Sequence, residues 1–427
     1  MSPPDAQGGP PRAPRGMHDV LWPESSRWEA FVATFAALVE SAAYGLVKTP
    51  VIEDAAVFRR GIGDASDVVG KEMYEFTDRD ATLLALRPEG TASVVRAYLQ
   101  HRPVLPWKAW YETPMFRHER PQAGRYRQHH QVGIEALGAV DPDLDVEVIW
   151  VADRFFQELG LHRYSLSINS MGDATCRPAY IELLTEYLRA HADELCEEHR
   201  GRIDANPMRV LDCKRPECRA VTDGVPHLVD HLCPDCAAHL ERVRAGLEAL
   251  GIAAEVEHRL VRGFDYYTRT TFEFNSGAIE SAQNGIGGGG RYDGLAEAMG
   301  GPPTPGVGFG IGIERVLLAC DAEGCFASPP APLDAYVVDL VDGTVARDLS
   351  VALRDAGLRV DRAFDQRSVK AQMKGADRSG ALAALIIGPE EAAAGTVTLR
   401  PLRGGGDQRA VPIGEVATAL LALRGEP

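Results

Sequence analysis

Residues 111–135 read YETPMFRHERPQAGRYRQHHQVGIE, and this stretch constrains the fold more than any other. An aromatic, apolar run ends in Phe116-Arg117-His118-Glu119-Arg120. A polar loop carrying Gly124, Arg125 and Arg127 follows, and the chain returns through His130-Gln131-Val132-Gly133-Ile134-Glu135. The pattern predicts two antiparallel strands joined by a long basic loop. Side chains alternate across a strand, so Tyr111, Thr113, Met115 and Arg117 share one face of the first. Gln131, Gly133 and Glu135 share one face of the second, with Val132 and Ile134 opposite. An arginine, an amide and a carboxylate on an otherwise packed sheet are costly to bury unless a ligand meets them. The arginine forks suit phosphate, and Glu135 offers an acceptor to a cationic or N–H-bearing group.

A chain of 427 residues is long enough for two or three domains and a substantial core. The longest apolar runs fall well short of 18 residues, so no transmembrane helix is expected. Residues 1–14 are rich in Pro and Gly without an apolar stretch, and read as a disordered tail rather than an export signal. The net charge of −16 argues against indiscriminate binding of nucleic acid, since phosphate contacts need Lys and Arg. A locally basic surface on an acidic protein would still accept RNA. Eight cysteines without an export signal suggest a reducing compartment. Four of them, Cys213, Cys218, Cys233 and Cys236, follow a C-x4-C, gap of 14, C-x2-C spacing that suits a structural zinc knuckle. Four small buried thiols would look the same in sequence.

Further motifs extend the pattern. Arg15-Gly16-Met17-His18-Asp19, Leu86-Arg87-Pro88-Glu89-Gly90-Thr91 and Leu260-Val261-Arg262-Gly263-Phe264-Asp265-Tyr266-Tyr267 stand in that order. Gly289-Gly290-Arg291-Tyr292-Asp293-Gly294-Leu295 and Gly308-Phe309-Gly310-Ile311-Gly312-Ile313-Glu314-Arg315 follow. Together with residues 111–135 these closely resemble the motifs of class II aminoacyl-tRNA synthetases, in the form seen in histidyl-tRNA synthetases. The resemblance implies an α+β fold: a mixed, mainly antiparallel sheet flanked by helices, a helical insertion and a C-terminal α/β anticodon-binding domain. It also implies ATP with magnesium, L-histidine and tRNA as substrates and partners, a homodimer, a cytoplasmic location and no membrane.

Amino-acid activation brings a carboxylate in line with the α-phosphate of ATP, so the site needs fixed cations and good positioning. By resemblance, Arg117 bridges the α-phosphate and the substrate carboxylate, Arg315 holds the distal phosphates and packs on adenine, and Arg262 reaches the α-phosphate from the opposite side. Arg125 is a further ATP contact from the loop. Glu89, Gly90, Thr91 and Gln131 take the α-amino end of histidine, while Glu135 and Tyr267 grip the ring and Tyr266 lines the pocket. A lone arginine at a strand end is usually a surface ion pair worth little; their order within the motifs favours the functional reading. Two rivals remain open: a silent paralogue that regulates a phosphoribosyltransferase, and a synthetase of the same class for proline, threonine or glycine. The complete arginine set speaks against the first, and Arg262–Tyr267 and Glu135 against the second.

Along the chain, residues 15–330 form the expected catalytic core, interrupted by a helical insertion over 173–250 that carries the cysteine cluster. A helix is predicted over 88–101, starting at Pro88 with Glu89 in its first turn. Glycines 285, 287, 288, 289 and 290 read as a loop, and Gly306–Gly312 as a small-residue strand. Pro329, Pro330 and Pro332 mark a linker. Residues 331–427 then show a βαβαβ rhythm that predicts a small parallel-sheet domain resembling the anticodon-binding domain. Lys370, Lys374 and Arg378 lie four apart on one face of its helix over 368–379, which alone reads as a solvated charged stripe; the resemblance implies that they meet tRNA.

Overall fold

The computed structural model describes residues 10–63, 66, 68–280, 284–328, 333–364, 367–403 and 405–425. Most of the N-terminal tail, Asp64 of the predicted Gly61–Asp64 loop and the linker prolines Pro329, Pro330 and Pro332 lie outside them. Two compact units divide the chain, Met1–Ala327 and Ser328–Pro427.

The first unit is built on an eight-stranded sheet. In spatial order its strands are Gly45–Leu46, Trp107–Phe116, Gln128–Leu137, Gly306–Gly312, Gly285–Arg291, Thr268–Ser276, Tyr164–Ser170 and Ala254–Val256. The six central strands pair antiparallel and each edge strand pairs parallel, giving the expected mixed, mainly antiparallel sheet. The two strands flanking the basic loop are in the register Thr113↔Gln131, Tyr111↔Gly133, Ala109↔Glu135. The next pairing sets Glu135 opposite Gly308 and Gln131 opposite Gly312. Alternation therefore gives the sheet two unlike faces. Val132, Ile134, Phe309, Ile311, Phe272 and Phe274 point to one side and form a core with Phe31, Phe35 and Val39 of the helix Glu24–Ser41 and Ile149, Phe155 and Phe156 of Pro142–Glu158. Gln131, Glu135, Gly308, Gly310 and Glu273 share the other side.

The glycine-rich run 285–290 is not a loop. It is an interior strand of this sheet, with register shifts at Gly285/Gly287 and Gly290/Arg291. Glycine has low strand propensity, so the residue-by-residue pattern hides it; here the missing side chains leave room for neighbours. A Cβ on Gly288 would lie 2.8 Å from Arg262 Nη1. The strand's end is anchored by Arg291, which is fully buried and pairs with Asp145, Asp293 and the carbonyl of Ala139. Asp145 also meets His239, contributed by the insertion helix Pro234–Ala249.

The helix predicted from Pro88 begins later, spanning Thr91–His101. Glu89 lies just before it and its carboxylate accepts the amide protons of Thr91 and Ala92 at 2.7 and 2.8 Å. Two free N–H groups at a helix start are what such a carboxylate satisfies. Residues 173–250 are helical, as expected, through Arg177–Ala190, Pro216–Thr222, Pro234–Ala249 and shorter turns. They do not close on a core of their own. Leu240, Val243 and Leu247 join the core under the large sheet, while Tyr180, Leu184 and Cys218 pack in one cluster with Phe58, Tyr98 and Tyr267.

The second unit carries a five-stranded sheet in the order Val360–Arg362, Ala335–Asp339, Ala383–Ile387, Thr396–Pro401, Arg409–Pro412. The first three strands are parallel, as the βαβαβ rhythm predicts, and the last two are antiparallel additions. Its helix Val369–Arg378 is tied down by Gln372, whose amide donates to the carbonyls of Asp339 and Arg367 and whose oxygen accepts from Asp339 N.

Candidate active site

The polar face of the large sheet floors a cleft of about 850 Å³. Glu89, Gly90, Thr91, Arg117, Arg125, Gln131, Arg262, Tyr266, Tyr267 and Arg315 all line it, brought from six separate stretches of sequence. Each arginine is held from behind. Arg117 Nε donates to Pro88 O at 2.8 Å, and its guanidinium sits over the Phe264 ring, 5.5 Å from the centroid. Arg315 Nη1 donates to Gly285 O at 2.7 Å. Arg125 lies 3.4 Å from Glu119, which also faces Arg117 at 3.9 Å. Arg262 Nη1 meets Glu273 at 2.9 Å and its guanidinium lies over the Tyr267 ring. Its Nε is buried and has no hydrogen-bond partner among the described residues. A buried charged donor without a partner is costly, and an anion in the cleft would relieve it.

Burial and the nearby charge of Arg125 lower the proton affinity of Arg315, and burial with Arg117 pushes His129 down to about 3, so that this cleft histidine stays neutral. The cleft thus presents these four guanidinium groups, with Arg209, Arg219 and Arg259 also on its lining, in a partly enclosed space. Such an arrangement stabilises negative charge without reorganising during the reaction. The start of the described chain ties to the end of the basic loop, where the carbonyl of Gly16 accepts Arg127 N at 2.7 Å.

Glu135 departs from the expectation that it faces the cleft directly. It is fully buried and does not line the cleft. Thr91 Oγ1 donates to one of its oxygens at 2.6 Å and the Tyr292 hydroxyl to the other. Burial pushes its carboxyl up to about 8, against the pull of these hydroxyls. A Cβ on Gly308 would overlap it, which explains the glycine opposite. Gly308 and Gly288 on this face therefore make room for the protein's own Glu135 and Arg262.

The expected four-cysteine zinc set does not converge. Cys213 and Cys218 gather with Cys196 and His199, whereas Cys233 and Cys236 gather with Asp173 and Cys176. Linear spacing paired the two cysteine pairs with each other because they are neighbours in sequence; their neighbours in space come from the chain before the helix Arg177–Ala190 (Asp173, Cys176) and from beyond it (Cys196, His199). Residues that sequence reasoning passed over include Glu273, Glu119 and Glu314, all on the cleft, and Tyr292 beneath it. Period-2 alternation in the Thr268–Ser276 strand carried the signal for Glu273. In the second unit, Lys370, Lys374 and Arg378 are exposed along one helix face.

The histidyl-tRNA synthetase family model matches residues 16–316, and an anticodon-binding domain model matches residues 334–423. The histidine–tRNA ligase of Rhodococcus erythropolis is 49% identical over 413 residues, covering 96% of this chain and 97% of that one. That of Moorella thermoacetica is 47% identical over 408 residues, covering 94% and 96%. Among solved structures, the apo histidyl-tRNA synthetase of S. aureus is 33% identical with a TM-score of 0.80, covering 96% of this chain and 99% of that one. An ATP phosphoribosyltransferase regulatory subunit/histidyl-tRNA synthetase from Bacillus halodurans, 19% identical with a TM-score of 0.61 over 85% of this chain and 96% of its own, shares the fold.

Proposed function

The chain belongs to the histidyl-tRNA synthetase family, and we propose how its residues divide the work of histidine–tRNA ligation. The reaction joins L-histidine and ATP as histidyl-adenylate with loss of pyrophosphate. The 3′-terminal ribose of tRNA then attacks the mixed anhydride and releases AMP. ATP enters as its magnesium complex. No helix among the described residues is long and apolar enough to cross a membrane.

In our reading Arg117 and Arg262 grip the α-phosphate from opposite walls of the cleft, and Arg117 also holds the histidine carboxylate. Arg315 and Arg125 take the distal phosphates. The orphaned Nε of Arg262, buried in a cleft that also holds Arg117, Arg125 and Arg315, is the observation that carries this assignment. Negative charge grows on the phosphate as pyrophosphate departs, and these fixed cations meet it there. Glu89, Gly90, Thr91 and Gln131 receive the ammonium end. Tyr266 and Tyr267 wall the ring pocket. Glu135 lies beneath Thr91, and an imidazole N–H reaches it by replacing the Thr91 hydroxyl. A site built on such buried partners rejects amino acids that leave them unpaired.

We further assign residues 15–330 to activation and 331–427 to tRNA recognition, with Lys370, Lys374 and Arg378 against the RNA backbone. A cytoplasmic homodimer fits the tRNA substrate. It also fits the three-stranded sheet of the first unit (Ile52–Asp54, Leu83–Leu86 and Tyr74–Thr77), one face of which leaves Ile52 and Phe76 exposed to be covered by a second copy. We give zinc no part in the chemistry of the cleft. ATP–pyrophosphate exchange with free amino acids tests the pocket. Exchange should depend on histidine, and exchange supported equally by proline, threonine or glycine would overturn the assignment of the pocket residues.

A further inference from the structure

We propose that the helical insertion holds two structural zinc ions, one bound by Cys196, His199, Cys213 and Cys218 and the other by Asp173, Cys176, Cys233 and Cys236. In each group the four ligand atoms lie within 4.8 Å of one another. Ligands about 2.3 Å from a tetrahedral zinc stand about 3.8 Å apart, so little contraction is needed. Both sets, three thiolates with one imidazole or one carboxylate, use ligand types that zinc accepts.

The placement differs from ordinary packing of buried thiols. Cys196 Sγ lies 3.0 Å from His199 Nδ1, and the amide of Cys196 donates to Cys218 Sγ at 3.3 Å. In the second group the amide of Asp173 points at Cys176 Sγ at 3.5 Å, while Cys233 Sγ lies 3.8 Å from the Asp173 carboxylate. Amide donors to sulfur and fixed ligand orientation are the outer support that metal thiolates use. Disulfide pairing does not account for either group, because each contains three cysteines and one would be left over. Each group also joins two separate pieces of chain, each piece giving two ligands: 196/199 with 213/218, and 173/176 with 233/236.

Binding needs no redox partner. Each cysteine yields its proton to water as the thiolate binds, His199 binds through a neutral nitrogen and Asp173 as carboxylate. The resulting negative charge at the second site faces Arg269, 3.6 Å from Asp173. Beside it, Arg177 donates to the carbonyls of Met171 and Tyr267. Near the first site, Arg209 donates to the carbonyl of Gly263. The two ions would therefore brace the Arg262–Tyr267 segment from behind, through residues next to their ligands.

Elemental analysis of the purified full chain should find two zinc ions per chain, one for each cluster. X-ray absorption at the zinc edge should show mainly sulfur near 2.3 Å. Cys213→Ser and Cys236→Ser should each lose one zinc, and Cys325→Ser, outside both groups, should keep both. Wild-type chain treated with a mercurial should release two zinc equivalents to a colorimetric chelator, a reading that does not require the variants to fold. One zinc or none in folded, zinc-supplemented wild type overturns the proposal, as do Cys213→Ser and Cys236→Ser chains that retain the full complement.

Discussion

Glu135 is the residue at which local chemistry decides most. Its ordinary value is 4.5, and burial holds its carboxyl at about 8 in the folded chain. The unfolded chain loses this proton near the ordinary value while the folded chain keeps it, so stability falls as pH rises across that window. Glu135→Gln has no such proton to lose. Its thermal midpoint relative to wild type should therefore climb between about pH 5 and pH 8; a constant difference would mean that Glu135 is charged in the fold. The same variant should raise the Michaelis constant for histidine and leave that for ATP nearly unchanged, and an equal effect on both would make Glu135 purely structural. Sequence made Glu135 legible as a carboxylate among packed residues. It did not show Tyr292, 157 residues away, or the Asp145–His239–Arg291 knot, whose members lie 94 and 146 residues from Asp145. Period and spacing report neighbours along the chain, and these partners meet only through sheet order.

At the scale of elements, the strands around the basic loop were readable because alternation and turn residues agree there. The Gly285–Arg291 strand was not, because glycine signals a loop whenever its neighbours are also glycine. Its purpose yields a test. A methyl group at Gly288 would press on Arg262 Nη1 and on the carbonyl of Phe272, each 2.8 Å away. Overpacking of this kind costs about 1–3 kcal/mol. Gly288→Ala should fold with a lowered thermal midpoint and lose adenylate formation out of proportion to that change, measured as pyrophosphate exchange at a temperature where the variant is folded. Full exchange would show that Arg262 tolerates displacement. The cysteines illustrate the opposite failure: spacing joined four cysteines that the fold places in two separate clusters, and it left out Asp173, Cys176, Cys196 and His199.

Across the whole molecule, activation and tRNA recognition are proposed to fall to different units. The arginine-lined cleft belongs entirely to the unit Met1–Ala327. A chain ending at Ala327 should retain histidine-dependent pyrophosphate exchange and charge tRNA poorly, since Lys370, Lys374 and Arg378 are gone. Full charging by that shortened chain would remove the second unit from tRNA recognition. The change to a βαβαβ rhythm marks the second unit in sequence, while its two closing antiparallel strands escape that rhythm, the first following Gly395 and the second ending in Pro412. Fixed cations, Arg262 above all, carry the proposed activation step. Single-turnover adenylate formation by Arg262→His at saturating histidine and ATP tests it most directly. Loss of one such contact is worth about 3–4 kcal/mol, so the rate should fall by about two to three orders of magnitude with histidine binding little changed; a rate near that of the wild type would contradict the account.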